Sequence, residues 1–247
     1  MTEGKHLDNG GMEQIMPSRR KFLASSAALL AGGALMAVPS VAKAHTTDNP
    51  PSDVDILNYA LTLEHLESIF YQRVLRWFNE KEFEKANIFD GLGGYVRRKT
   101  YENFQRLSEH EDTHVETLES ILGDDAVPRA RYNFGVMSVG DAVRVAQLLE
   151  NTGVTAYDGA IAHVQAAKLL TAGATIATVE ARHASYLNLL NRDVPFPSTF
   201  DTPVAPRKIC KAVQAENGGF IVRTPEPYGP YRDLDALCAR LPNFVIS

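Results

Sequence analysis

From Asp53 onward, apolar residues and a few carboxylates and aromatics recur at Leu57, Ala60, Glu64, Glu67, Tyr71, Val74 and Phe78, in alternating steps of three and four. That spacing places them on one stripe of an α-helix. Ser52 and Asp55 form a short capping box at its start. After a glycine-containing connector around Gly91 to Gly94, the same spacing returns at Phe104, Leu107, Glu111, His114, Leu118 and Ile121, and stops near Gly123. A third stripe opens with Asp141 as N-cap and runs through Val143, Ala146, Glu150, Gly153, Tyr157, Ala160 and Val164. A fourth carries Ile176, Glu180, His183, Leu187 and Leu190. The pattern predicts an all-α fold of four long helices.

The connection from Leu122 to Gly140 is about 18 residues and reaches about 60 Å when extended. A helix of about 25 residues is about 38 Å long. This segment can therefore serve as the single long crossover of a four-helix bundle. From Asp193 the text changes to scattered glycines and prolines, among them Pro195, Pro197, Pro203, Pro206, Pro225, Pro227 and Pro230. It reads as an extended, loop-rich tail, with short helices from about Pro206 to Ala215 and Leu234 to Leu241.

Each of the four stripes carries a carboxylate where an apolar residue belongs. Buried without a partner, each costs several kcal/mol. Two divalent cations remove that cost, and four carboxylates with two neutral imidazoles are ligands suited to iron or manganese. Glu111 and His114, and again Glu180 and His183, are Glu-x-x-His pairs whose side chains share one helix face, one turn apart. With 14 Glu and 6 His after residue 44, chance supplies roughly 0.4 such pairs, so two in order carry weight that one does not. One Glu from each of two helices, and Glu-x-x-His from each of the other two, is the ligand set of di-iron and di-manganese carboxylate bundles.

The single-Glu helices match one another. Leu63-Glu64 is followed seven residues later by Tyr71, and Leu149-Glu150 seven later by Tyr157. The chain reads as two copies of a helix pair about a pseudo-twofold axis through the metal site. Tyr71 and Tyr157 are placed to hydrogen-bond a ligand or donate an electron, the bland alternative being aromatic filling. His110, His65 and His163 fall off the stripes and read as surface groups or groups behind the ligands, with His110 the nearest to the site. Phe70, Trp77 and Phe78 read as core or interface residues.

At these residues the sequence resembles the ferritin-like superfamily and, within it, the exported desiccation-related group. The resemblance covers about Asp53 to Arg192. It is carried by the run from Leu57 to Glu67 (LNYALTLEHLE) and by Phe200-Asp201-Thr202-Pro203. It implies a ferritin-like four-helix bundle with one long crossover and a loop-rich C-terminal tail. Glu67 is similar to the extra glutamate of rubrerythrins, which implies an additional ligand; the alternatives are a role behind the ligands or a solvent-facing one.

Ahead of the bundle, Ser18-Arg19-Arg20-Lys21-Phe22-Leu23 is a twin-arginine signature. An apolar stretch from Leu23 to Val41 follows, ending in Ala42-Lys43-Ala44, an A-x-A cleavage pattern. Gly32, Gly33, Pro39 and several serines make it a poor spanning helix. The division expected is therefore 1–44 signal peptide, 45–192 bundle and 193–247 proline-rich extension. The partners implied are the twin-arginine export machinery and a periplasmic or otherwise extracytoplasmic setting. Without the leader, 20 basic residues face 27 acidic ones, a net charge near −7, which argues against nucleic acid. Cys210 and Cys238, an even pair in an exported chain, can form a disulfide or remain free thiols. The full chain has 247 residues, 45% hydrophobic and 22% charged, enough for one core without staples.

The expected chemistry is that of two iron ions, with manganese as the alternative, acting on O2 or H2O2: Fe(II) oxidation or peroxide removal, or a dimanganese catalase-like reaction. A non-enzymatic stress-associated structural protein that keeps the bundle is the reading from a different class. Iron storage in a 24-subunit cage fits poorly with the long tail. A homo-oligomer of another kind stays open.

Overall fold

The computed structural model describes residues 51–246; the twin-arginine and cleavage motifs lie outside the described residues. Four long helices dominate. Helix α1 (Asp53–Trp77) begins at Ser52, whose Oγ accepts the Asp55 N–H at 3.2 Å while the Ser52 N–H donates to the Asp55 carboxylate at 3.0 Å. Reciprocal capping of this kind satisfies amides that have no partner within the helix. A short α2 (Glu80–Lys85), capped by Asn79, turns the chain. Helix α3 (Gly94–Leu122) is bounded by Gly93 and Gly123, with φ of 85° and 56°, conformations that glycine adopts without steric cost.

The crossover then runs to α4 (Val139–Ile161). Its N-cap is Ser138, not Asp141: the Ser138 Oγ accepts the Asp141 N–H at 3.1 Å, and the Asp141 carboxylate accepts the Ser138 hydroxyl at 2.8 Å. Both residues are good caps, and the sequence pattern picked the partner three positions inside the helix. Helix α5 (Ala167–Leu190) completes the bundle. α1 packs along α3 and α4 along α5, and α1 against α4 joins the two pairs. α3 and α5 meet through side chains, including Asn103 donating to the Tyr186 hydroxyl at 3.0 Å.

The apolar stripes supply the core, with two exceptions at helix ends. Ile121 is 42% exposed, because the α3 stripe passes through Leu118 and Leu122, both buried. Trp77, at the last turn of α1, is 44% exposed rather than part of the core, whereas Phe70 is fully buried.

The C-terminal extension shares this core. Tyr228, Leu237, Cys238 and Leu241 have no exposed surface, although the proline-rich text reads as a loose tail. Helices α6 (Pro206–Ala212) and α7 (Leu234–Arg240) are joined by a Cys210–Cys238 disulfide with a Cα separation of 5.6 Å. A two-residue β1 in the crossover (Arg131–Tyr132) pairs antiparallel with β2 in the extension (Ile221–Arg223). The extension is also bonded to α1: Tyr228 and Thr62 share a hydroxyl hydrogen bond at 3.0 Å, and Tyr231 donates to Asp55 at 3.0 Å. Against α4 the approach is closer still. A Cβ on Gly159 would stand 1.9 Å from the Val204 carbonyl oxygen, so the backbones meet where only glycine fits.

Candidate metal centre

Halfway along the bundle, the stripes of all four helices converge. α1 contributes Glu64, α3 contributes Glu111 and His114, α4 contributes Glu150, and α5 contributes Glu180 and His183. All four carboxylates have no exposed surface; the two imidazoles are 9% and 5% exposed. His114 Nδ1 lies 3.0 Å from Glu111, 3.2 Å from Glu64 and 3.2 Å from Glu180. His183 Nδ1 lies 3.0 Å from Glu111 and 3.1 Å from Glu150.

These contacts resolve into two groups whose ligand atoms all lie within 4.8 Å of one another. One is Glu64, Glu111, His114 and Glu180; the other is Glu111, Glu150, Glu180 and His183. Glu111 and Glu180 belong to both. Each group therefore has one unshared carboxylate, one imidazole and two shared carboxylates, a twofold arrangement matching the repeat in the sequence.

The unshared carboxylates are each tied by one oxygen. Tyr71 donates to Glu150 Oε1 at 2.5 Å and Tyr157 to Glu64 Oε1 at 2.5 Å, so each tyrosine serves the glutamate of the other half. The second oxygen of each, Glu150 Oε2 and Glu64 Oε2, faces a histidine Nδ1. That is the geometry of a carboxylate held by its protein on one side and free to bind a cation on the other.

The shared carboxylates are not satisfied by protein. Glu111 Oε1 and both oxygens of Glu180 are buried and accept no hydrogen bond, although histidine nitrogens stand 3.0 and 3.2 Å away. An unpaired buried carboxylate oxygen costs several kcal/mol. Three such atoms in one place, beside nitrogens that can present lone pairs, fit divalent cations of the iron and manganese class. The protonation tendencies say the same. Burial pushes Glu64 up to about 7, and burial with the repulsion of neighbouring carboxylates raises Glu67 and Glu180. Glu111 goes the other way: against burial, the adjacent His114 and His183 imidazoles bring it down to about 2. Burial opposes charge on His183, but Glu150 and Glu111 raise it to about 10.

Glu67 is 3% exposed, so it is not solvent-facing. It stands apart from both four-residue groups but close to them. A Cβ on Gly153 would meet Glu180 Oε2 at 3.1 Å and Glu67 Oε1 at 3.2 Å. Glycine at the α4 position matching Glu67 in the repeat thus leaves room for the two carboxylates.

The remaining histidines divide. His110 is exposed and bonds His183 at 2.9 Å, directly behind the site. His65 and His163 are buried, at 0% and 8% exposed, and neither is a surface group. His65 contacts the Val127 carbonyl of the crossover at 3.1 Å and is pushed down to about 4 by burial; His163 packs edge-on against Phe244. The helix pattern did not reveal these neighbours because both come from the irregular segments. Tyr59, also buried, has a hydroxyl without a hydrogen-bond partner among the described residues, and no sequence signal singled it out.

The sequence model of a family described as the ferritin-like domain matches residues 52–192, the segment holding all six converging residues. Among curated proteins, the chain is similar to Protein rds1 of Schizosaccharomyces pombe, at 26% identity over 160 residues. The match covers 64% of this chain and 38% of that protein, so the chain spans well under half of that relative's length.

Proposed function

The chain belongs to the ferritin-like family, and from that footing we propose that it is an exported two-metal carboxylate protein, di-iron in its working form, that oxidises Fe(II) or reduces peroxide or O2 in stress protection. The observation that carries the reading is the sharing of Glu111 and Glu180 between two otherwise separate ligand groups. Glu64 with His114 would complete one position and Glu150 with His183 the other. Bound there, two ferrous ions supply two electrons, enough to reduce one H2O2 with two protons to two waters.

The chain's own residues do the rest. Tyr71 and Tyr157 fix the unshared carboxylates and hold phenolic protons beside the site. Their hydroxyls are pushed well above the ordinary range, by burial first and then by Glu150 and Glu64 respectively. Tyr71 is itself held by edge-on packing against the buried rings of Phe70 and Phe104. Export is supported by the twin-arginine motif and by a buried disulfide, a bond that persists in oxidising compartments.

The test is to load the metal-free protein with Fe(II), and separately with Mn(II), and to follow H2O2 and O2 consumption under single-turnover conditions. Oxidation of two Fe(II) per H2O2 supports the proposal. Turnover with manganese alone selects the catalase-like variant. Metal uptake without consumption of either oxidant contradicts the redox reading and favours a structural stress protein.

A further inference from the structure

The two metal positions are alike in ligands and unlike in what stands behind the imidazoles. His110 Nδ1 lies 2.9 Å from His183 Nε2. The ring centroids are 5.2 Å apart and the planes differ by 16°. A centroid distance that exceeds the N···N distance by little more than the two ring radii means that the rings lie edge to edge along the hydrogen bond, not face to face. The bond is therefore in plane and well aligned.

This bond has a consequence for His183. Its Nδ1 faces Glu111 and Glu150, and to bind a cation there it must be without a proton. The ring proton then sits on Nε2, and His110 Nδ1 is the acceptor that holds it. His110 precedes Glu111. The matching residue before Glu180 is Val179, whose side chain accepts nothing. Among the described residues, the hydrogen bonds and ion pairs of His114 run through Nδ1 to Glu64, Glu111 and Glu180, with no imidazole behind it.

We propose that His110 is a positioning residue that fixes the His183 tautomer, and so makes the His183–Glu150 position the tighter of two unequal divalent-cation positions. The inference rests on the two-metal reading. An acceptor behind a ligating imidazole typically contributes 10–100-fold in affinity, so binding is expected in two separate steps. His110 is exposed and lies outside the hydrophobic core.

The experiment is a calorimetric and optical titration of metal-free full chain with Co(II), for wild type, His110→Ala and His110→Asn, with Glu150→Ala to identify the step. Wild type should bind two Co(II) in distinct steps, the tighter one lost in Glu150→Ala. His110→Ala should weaken that step about 10–100-fold and leave the other unchanged. His110→Asn, whose side-chain oxygen can sit where Nδ1 was, should restore much of it. Two steps unaltered in His110→Ala, or an Asn variant no better than Ala, would overturn the role of His110 and leave the two-metal site standing. Wild-type protein that binds no Co(II) would overturn the two-metal reading itself, and this inference with it.

Discussion

Tyr157, on α4, donates its hydroxyl proton at 2.5 Å to Glu64, on α1, and the same bond is made in reverse by Tyr71 and Glu150. Each tyrosine stands seven residues after one glutamate and holds the other. The exchange links the two halves of the bundle across the site, and it leaves one oxygen of each glutamate for a cation.

Removing either hydroxyl should therefore affect one position more than the other. In Tyr157→Phe, Glu64 loses its fixed orientation, and the affinity of the Glu64–His114 position should fall about 10–100-fold. Tyr71→Phe should do the same at Glu150–His183. Calorimetric metal titration of both variants checks this; a uniform loss at both positions, or none, would contradict the pairing.

Asp55 ties the extension to the bundle. It accepts from Ser52, Tyr231 and Arg240, the last at 2.6 Å. Burial works to raise its pKa, but the hydrogen bonds from Arg240, Ser52 and Tyr231 outweigh it and hold the group below the ordinary carboxylate range. A lowered folded-state value adds stability that is present above the unfolded value, about 3.9, and is lost as the pH falls through the folded one. Arg240 is 57% exposed, so solvent screening limits its share to about 1 kcal/mol or less. Arg240→Ala should lower neutral-pH stability by that amount and move acid unfolding, followed by circular dichroism, to higher pH. Asp55→Asn should abolish this contribution at neutral pH and, with it, its loss on acidification.

The contact between Gly159 and Val204 is backbone to backbone, so no rotamer change can relieve a side chain placed there. Gly159→Ala should cost about 1–3 kcal/mol through overpacking, against a helix-propensity gain of about 1 kcal/mol. A net loss in denaturant melts is expected. A variant more stable than wild type would mean that the extension is free to lift from α4.

Much of this architecture was legible because helical periodicity is local. The positions of Glu64, Glu111, Glu150 and Glu180 in otherwise apolar stripes follow from a 3.6-residue repeat, and their buried convergence follows once the stripes face inward. The capping box at Ser52 was readable for the same reason, whereas at Ser138 two good capping residues three apart gave the pattern no way to choose. Contacts over long sequence separations left no local trace. The burial of His65 depends on Val127, 62 residues away, and the pairing of Arg131 with Arg223 depends on a strand of three residues. The extension read as loose because its prolines break periodicity, yet Tyr228 and Leu237 are fully buried. Proline limits hydrogen-bonded structure, not packing.

Metal content per chain in purified protein tests whether these six side chains hold two cations. It should be measured for wild type and for Glu111→Ala combined with Glu180→Ala, which removes both shared carboxylates. Two metals per chain in wild type and none in a double variant that keeps its helical circular dichroism is the predicted result. Wild type that stays folded and takes up no metal after reconstitution, or a double variant that keeps both ions, would contradict it.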